Sequence, residues 1–488
     1  MKRSFLVILL LIIIIVQLII FRTMQKIEKK TCVLPDRFIY EITEPDYDAQ
    51  IFANRRDALM EKLSDGIIII SASVGADFRY LTGFDERNGV AVLIPGSEKP
   101  FRMFVEPYNL YAAQWTGELH GLEGAVEKFG ADKAYAIYAL NTKLSEMLKN
   151  APRLYLHTND PTIHAQINEI FSNKGRKPVI KPIEPVVHEM RVIKDEWEIA
   201  QIQQAVNVTA LAHKRVWETV APGQKEYEVQ AEVEYVYKKN GLGIGFSSIV
   251  GSGPNATVLH HVRNDREIRE NELLLVDIGA SSRAGYRADI TRTIPVNGKF
   301  TKEQKDIYEL VLKAFDIGVE ELKPGRKLMD ASHLAIEVLV DGLYDLGLIT
   351  DKSKWWQKRF YIQHRTSHYV GLNVHDVGSY GDFDIDNRDE HILSPEFRGR
   401  ELLPGMVLSM EPGLYFMKNN LDNLYELFGH IASEEEIDEF ANAVRPIYEK
   451  YEGIGVRIED VVLITKEGNK ILSDQLPKKL SEIEGFFN

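Results

Sequence analysis

Short apolar runs alternate with helix-length stretches through the first third of the chain. "GIIIISA" from Gly66, "GVAVLIP" from Gly89, "FRMFVEP" from Phe101, "KAYAIYAL" from Lys133 and "RLYLHT" from Arg153 read as strands, and several intervening segments are long enough for helices. This alternation predicts a small α/β domain over residues 45–185. It ends at "RKPVIKPIEPVV", where Pro178, Pro182 and Pro185 oppose both a helix interior and a central strand, so the stretch reads as a linker.

Over residues 186–488 the pattern changes. Ile199, Ile202, Val206, Ala210 and Trp217 recur at helical spacing and predict a helix with one buried stripe. His213 is the polar interruption of that stripe and reads as a helix-edge residue, not a ligand. A second helix follows Thr301, which stands at capping-box spacing from Gln304; Ile307, Leu310, Val311 and Ala314 form its apolar face. Ser433 and Glu436 repeat the capping spacing at "SEEEIDEF", whose charges read as a solvated helix start. Strand-like runs at "LLLVDIG", "YRADITRTI", "GMVLSME" and "GVRIEDVVLI" complete the picture of helices packed on an antiparallel or mixed sheet.

Composition changes this picture at one end. Residues 1–30 carry an apolar run of 17 residues from Phe5 to Phe21, broken only by Gln17. A membrane-spanning helix wants about 20 residues and tolerates about 17, whereas the apolar part of a cleavable signal is about 7–15. Arg22, Thr23, Met24 and Gln25 follow the run in place of small residues, so a membrane anchor is expected in preference to a cleaved signal. Lys2 and Arg3 before it, and Arg22, Lys26, Lys29 and Lys30 after it, leave both orientations open. Elsewhere the chain has an ordinary globular composition. Its formal net charge of -13 argues against a nucleic-acid partner, and its single cysteine, Cys32, excludes an internal disulfide framework or a cysteine-built metal cluster.

The candidate chemistry lies in the strands of the second half. They place Asp277, Asp289, Glu411 and Glu459 where apolar residues would be expected, with Asp277 and Asp289 at the inner ends of two runs so that they face each other. Like charges across a strand pair are destabilising, and two unit charges ~4 Å apart repel by ~4 kcal/mol at an effective dielectric of about 20. Two divalent cations would balance four carboxylates. "HRTSHYVGLNVHDVG" offers imidazoles at His364, His368 and His375, which makes a mixed oxygen and nitrogen site suited to manganese, zinc or cobalt. A helix-borne zinc pair is disfavoured, because Arg365 stands where that motif requires glutamate.

In this order, "VDIG", "GYRADITRT", "HRTSHYVGLNVHDVG", "SMEPGLY" and "GVRIEDVV" resemble the aminopeptidase P and prolidase group of pita-bread metallopeptidases. The resemblance extends more weakly to "RRDALMEKL" from Arg55, "DFRYLTGF" from Asp77 and "MRVIKDEWEI" from Met190. It implies an α/β N-terminal domain followed by an α+β pita-bread catalytic domain. It implies that Asp277, Asp289, His368, Glu411 and Glu459 ligate two divalent metal ions, manganese foremost, with Asp289 and Glu459 bridging and a bridging water or hydroxide as nucleophile. Glu411 would also handle the proton for the leaving nitrogen. His260, His364 and His375 resemble histidines on the substrate side, and Arg457 would orient the carboxylates; without the resemblance Arg457 reads equally as an ordinary surface ion pair. His261 is given no role.

The implied activity is release of the N-terminal residue from peptides with proline second, by a homo-oligomer, with the catalytic domain outside the cytoplasm by analogy with exported relatives. A dipeptide-limited prolidase is the alternative within the class; a non-catalytic binding protein on the same scaffold, or a metal-free creatinase-like hydrolase, is the alternative outside it. Two departures stand out: the Asp277 to Asp289 interval is one residue longer than the family pattern, and an insertion precedes Glu459 at residues 417–452, which is expected to shape substrate access or subunit contacts.

Overall fold

The computed structural model describes residues 47–172, 178–381 and 397–487. The expected anchor and Cys32 lie outside the described residues. Among the described residues, no helix is long and apolar enough to cross a membrane.

The five apolar runs form β1 (Ile67–Ser71), β2 (Gly89–Leu93), β3 (Phe101–Val105), β4 (Lys133–Ala136) and β5 (Arg153–Leu156). With β6 (Val179–Pro182) they build one sheet in the order β4-β3-β2-β1-β5-β6. The isoleucines of β1 are buried on both faces. Ile67 and Ile69 pack with Leu154, Leu156, Ile163 and Ile167, while Ile68 and Ile70 turn to a larger core that continues into the second half of the chain.

The proline-rich stretch is not a linker. Residues 179–182 pair in parallel with β5 at the sheet edge, and Pro185 sits in the first turn of the helix Glu184–Val192. An edge strand uses its donors on one side only, and the first helical turn has no partner for its N–H groups, so both places accept proline.

The second half contributes β7 (Gly243–Ile244), β8 (Ile249–Ser252), β9 (Leu273–Ile278), β10 (Ala280–Ser281), β11 (Ile290–Pro295), β12 (Val407–Met410), β13 (Gly413–Tyr415), β14 (Gly455–Arg457) and β15 (Asp460–Ile464). β9 is the centre of an antiparallel trio β11-β9-β8, β12 pairs with β15, and β13 with β14. The helices Glu196–Thr219 and Lys302–Glu321 begin at capping boxes, Asp195 with Glu198 and Thr301 with Gln304. The first packs on β10 and β11.

His213 corrects its expected place. It is fully buried, and its Nε2–H donates to the carbonyl of Ile290 at 3.0 Å. Burial and the neighbouring Arg292 charge lower it to about 3, so it is a neutral core histidine fixing the first residue of β11.

The insertion is helical, with Leu424–Phe428 and Glu434–Tyr451 starting from the Ser433 and Glu436 capping box. Phe440 and Tyr448 pack against Phe360, and Trp356 packs against Phe428 and Phe440, so the insertion adds an aromatic layer to the core.

Candidate metal centre

The register of β9 against β11 decides how the two aspartates meet. Asp277 pairs with Thr291 and Ile278 with Ile290, so Asp289 lies just beyond the ladder. Asp289 and Thr291 share a face, and Asp289 is therefore a diagonal neighbour of Asp277, not the directly opposed partner expected. Close approach of the two strands depends on Gly279, where any Cβ would strike the Ala288 carbonyl.

Thr291 also bridges to Glu459, which sits in the bend between β14 and β15. Glu411 follows β12, its N–H donating to Thr366 at 2.8 Å. The irregular segment carrying His368 runs beside the same strand: Tyr369 bridges Leu408, and the His368 N–H donates to Ser409 Oγ at 3.0 Å. His368 Nε2 thereby comes within 3.4 Å of Asp289 Oδ2 and Glu411 Oε1, and 3.9 Å of Glu459 Oε1. Oxygens of Asp277, Asp289 and Glu459 lie within 4.8 Å of one another.

Three observations fit this space to divalent cations. First, His368 Nδ1–H donates to the Tyr369 carbonyl at 3.0 Å, which orients the ring so that Nε2 is the nitrogen aimed into the carboxylate cluster. Second, Asp277 Oδ1 and Glu459 Oε1 are buried with no hydrogen-bond partner. Third, burial and the surrounding acids push Asp289 and Glu459 well above the usual carboxylate range, and burial raises Glu411. Asp289 and Glu459 are at most 4% exposed, so water cannot relieve the repulsion. Oxygen donors with one imidazole suit hard or borderline divalent metals.

Arg457 is no surface ion pair: it is 3% exposed and donates from Nη2 to Asp277 Oδ2 at 2.5 Å. Its Nη1 donates to the Tyr415 hydroxyl at 2.9 Å, and its Nε to Thr291 Oγ1 at 3.2 Å. His364 Nδ1–H donates to the Arg365 carbonyl at 2.7 Å, so Nε2 accepts from Tyr415 O–H at 2.8 Å. Both His364 nitrogens are thus engaged by the protein, and burial with the Arg457 charge lowers this histidine to about 3.

His375 is exposed, with its ring 4.1 Å from the His368 ring at 35°. His260 is exposed on the loop after β8, in the neighbourhood of His364 and His375. Sequence reasoning missed Thr291 and Tyr415; the only signal was that Thr291 stands two residues after Asp289, on the same strand face.

Among the described residues, two further acid and histidine groupings lie elsewhere. Asp77, His157 and His188 cluster in the N-terminal region, but Arg191 Nη1 lies 2.5 Å from Asp77 Oδ1, a fixed positive charge that opposes a cation. Glu226 gathers donors from Ser252, Asn255 and Arg266, and His261 points to it at 3.0 Å, away from the centre described above.

Residues 200–466 match the model of metallopeptidase family M24, and residues 52–155 match the aminopeptidase P N-terminal domain. The chain is 33% identical to the Xaa-Pro aminopeptidase of Escherichia coli (strain K12) over 467 residues, covering 89% of this chain and 97% of that protein. It is 29% identical to the mitochondrial intermediate cleaving peptidase 55 of Arabidopsis thaliana, over 92% of this chain and 84% of that one. Among solved structures, Pseudomonas aeruginosa aminopeptidase PepP superimposes with a TM-score of 0.76 at 31% identity, covering 90% of this chain and 98% of that one.

Proposed function

The chain belongs to metallopeptidase family M24, and we propose that it is a metal-dependent aminopeptidase releasing the N-terminal residue from peptides with proline in the second position. The observation that carries this reading is the convergence of Asp277, Asp289, His368, Glu411 and Glu459 around one space, in a chain whose relatives include Xaa-Pro aminopeptidases. These five residues would hold two divalent ions. When bound, such ions supply Lewis acidity and bring the pKa of water from about 15.7 towards ~7. The oxygen-rich donor set with a single imidazole supports manganese; zinc and cobalt are the alternatives.

The chain's own groups do the rest. Arg457 and Thr291 fix the carboxylates through Asp277 and Glu459, so their orientation is set before substrate arrives. Glu411 stands at the more open side of the centre, where its carboxyl can pass a proton to the departing proline nitrogen. The exposed edges of His260 and His375 are available to donate to the scissile carbonyl as negative charge develops there. Proline itself explains a dedicated site, since its nitrogen carries no N–H for strand-like recognition and it restricts the residue before it.

The length and position of the apolar run Phe5–Phe21 support membrane anchoring or export. Comparing hydrolysis of Xaa-Pro-Xaa tripeptides with Xaa-Pro dipeptides tests the substrate reading. Release of the first residue from tripeptides is expected; activity confined to dipeptides would make the enzyme a prolidase.

A further inference from the structure

Two stretches that the metal centre leaves unexplained, "DFRYLTGF" and "MRVIKDEWEI", contribute the ends of a buried chain of charges. Asp77, in the helix Ala76–Thr82, is 3% exposed; Arg191 is 2%, Lys194 3% and Asp376 6% exposed. Arg191 spans the middle. Its Nη1 donates to Asp77 Oδ1 at 2.5 Å, and its Nη2 donates to Asp376 Oδ1. Lys194 Nζ donates to Asp376 Oδ2 at 3.0 Å and to the Arg191 carbonyl at 2.6 Å. The remaining Asp77 oxygen, Oδ2, lies 3.1 Å from His188 Nε2 and 3.2 Å from His157 Nε2. Two acids thus balance two bases, and every end is hydrogen-bonded; withdrawing one member leaves a buried charge without its counter-charge.

Asp376 immediately follows His375, and the loop is built around its carboxylate. Its own N–H donates to the Tyr369 carbonyl at 2.8 Å, and the Asn373 N–H reaches Oδ1 at 3.3 Å. Gly371 lies so close to Oδ2 that a Cβ there would clash. On the other side of the same backbone, the His375 ring rests on His368. With Asp376 clamped, the direction in which His375 leaves the chain is fixed.

We propose that Asp77 is a positioning residue for His375, acting from the N-terminal domain through Arg191 and Asp376. The inference rests on the reading that His375 contacts the scissile carbonyl, and it gives the N-terminal domain a part in catalysis.

A double-mutant cycle on the full chain tests it, measuring kcat and KM for an Xaa-Pro-Xaa tripeptide together with bound metal and Tm. For residues coupled through a shared network, Asp77→Asn is expected to lower kcat about 5- to 20-fold, with KM within about twofold and metal content unchanged. In the His375→Ala background the same substitution is expected to cost less than about twofold, because the group it positions is gone. An equal loss in both backgrounds, or no loss in the parent, overturns the proposal. If His375→Ala alone leaves kcat unchanged, the role of His375 falls, and the inference with it. Should Asp77→Asn fail to fold, His188→Gln removes one donor from the same carboxylate, and its cycle with His375→Ala decides by the same criteria.

Discussion

The hydroxyl of Thr291 donates to Glu459 Oε2 at 2.7 Å. Thr291 Oγ1 in turn accepts from Arg457 Nε at 3.2 Å, and the Thr291 backbone pairs with Asp277 on one side and Glu459 on the other. One buried residue, fully shielded from solvent, therefore links Glu459 through its hydroxyl and Asp277 through its backbone to the arginine beside them.

Thr291→Val keeps the shape of this side chain and removes its hydrogen bonds. The fold is expected to survive, while metal affinity falls about 10- to 100-fold, the usual cost of losing a group that orients a ligand. Competition with a metal-binding indicator measures it. Parental affinity in the variant would show that Thr291 only fills space.

Tyr415→Phe separates positioning from ligation. The phenol is 1% exposed, and burial pushes it up to about 12, so it stays protonated and can donate to His364 while accepting from Arg457. Removing it leaves the buried Arg457 and the half-buried His364 each short of a partner, worth about 1–3 kcal/mol. A fall in kcat/KM of about 5- to 150-fold is expected from that loss, with metal content unchanged in elemental analysis. Loss of metal in this variant would instead place Tyr415 among the determinants of ligation.

The acids were legible in the sequence because each breaks an apolar strand run, and the helices were legible from their stripes and caps. The register was not: whether Asp289 opposes Asp277 or lies diagonal to it depends on how the turn from Ser282 to Tyr286 closes, which no local pattern states. His213 was misplaced because a lone polar residue on an apolar stripe looks like an edge, when a carbonyl from another strand can satisfy it. The proline-rich strand was missed because its place at the sheet edge is a property of the whole sheet. The charge chain was invisible for a similar reason, since its partners lie 114 and 185 residues apart.

The Asp77 cluster predicts a pH dependence of stability. Burial would raise the Asp77 carboxyl, but hydrogen bonds from His157 and His188 and the Arg191 charge hold it far below the usual range. The hydrogen bond to Asp77 raises His157 against its own burial. A raised histidine stabilises the fold fully below its unfolded pKa, about 6.5, and loses that contribution as pH rises through the higher folded value. His157→Gln is therefore expected to lower Tm most below about pH 6.5, with the gap to the parent narrowing as pH rises. Thermal melts across pH check the sign; a gap that widens towards alkaline pH contradicts it.

Metal stoichiometry in relation to activity addresses the central claim most directly. After dialysis against a metal-free buffer, the parent chain reconstituted with manganese should bind two ions per chain and cleave an Xaa-Pro-Xaa tripeptide. Chelation should abolish the activity reversibly, and Asp289→Ala should lose both the full complement of metal and the activity, because it removes an oxygen from the middle of the centre. Full activity in a metal-free parent, or in Asp289→Ala, would contradict the account.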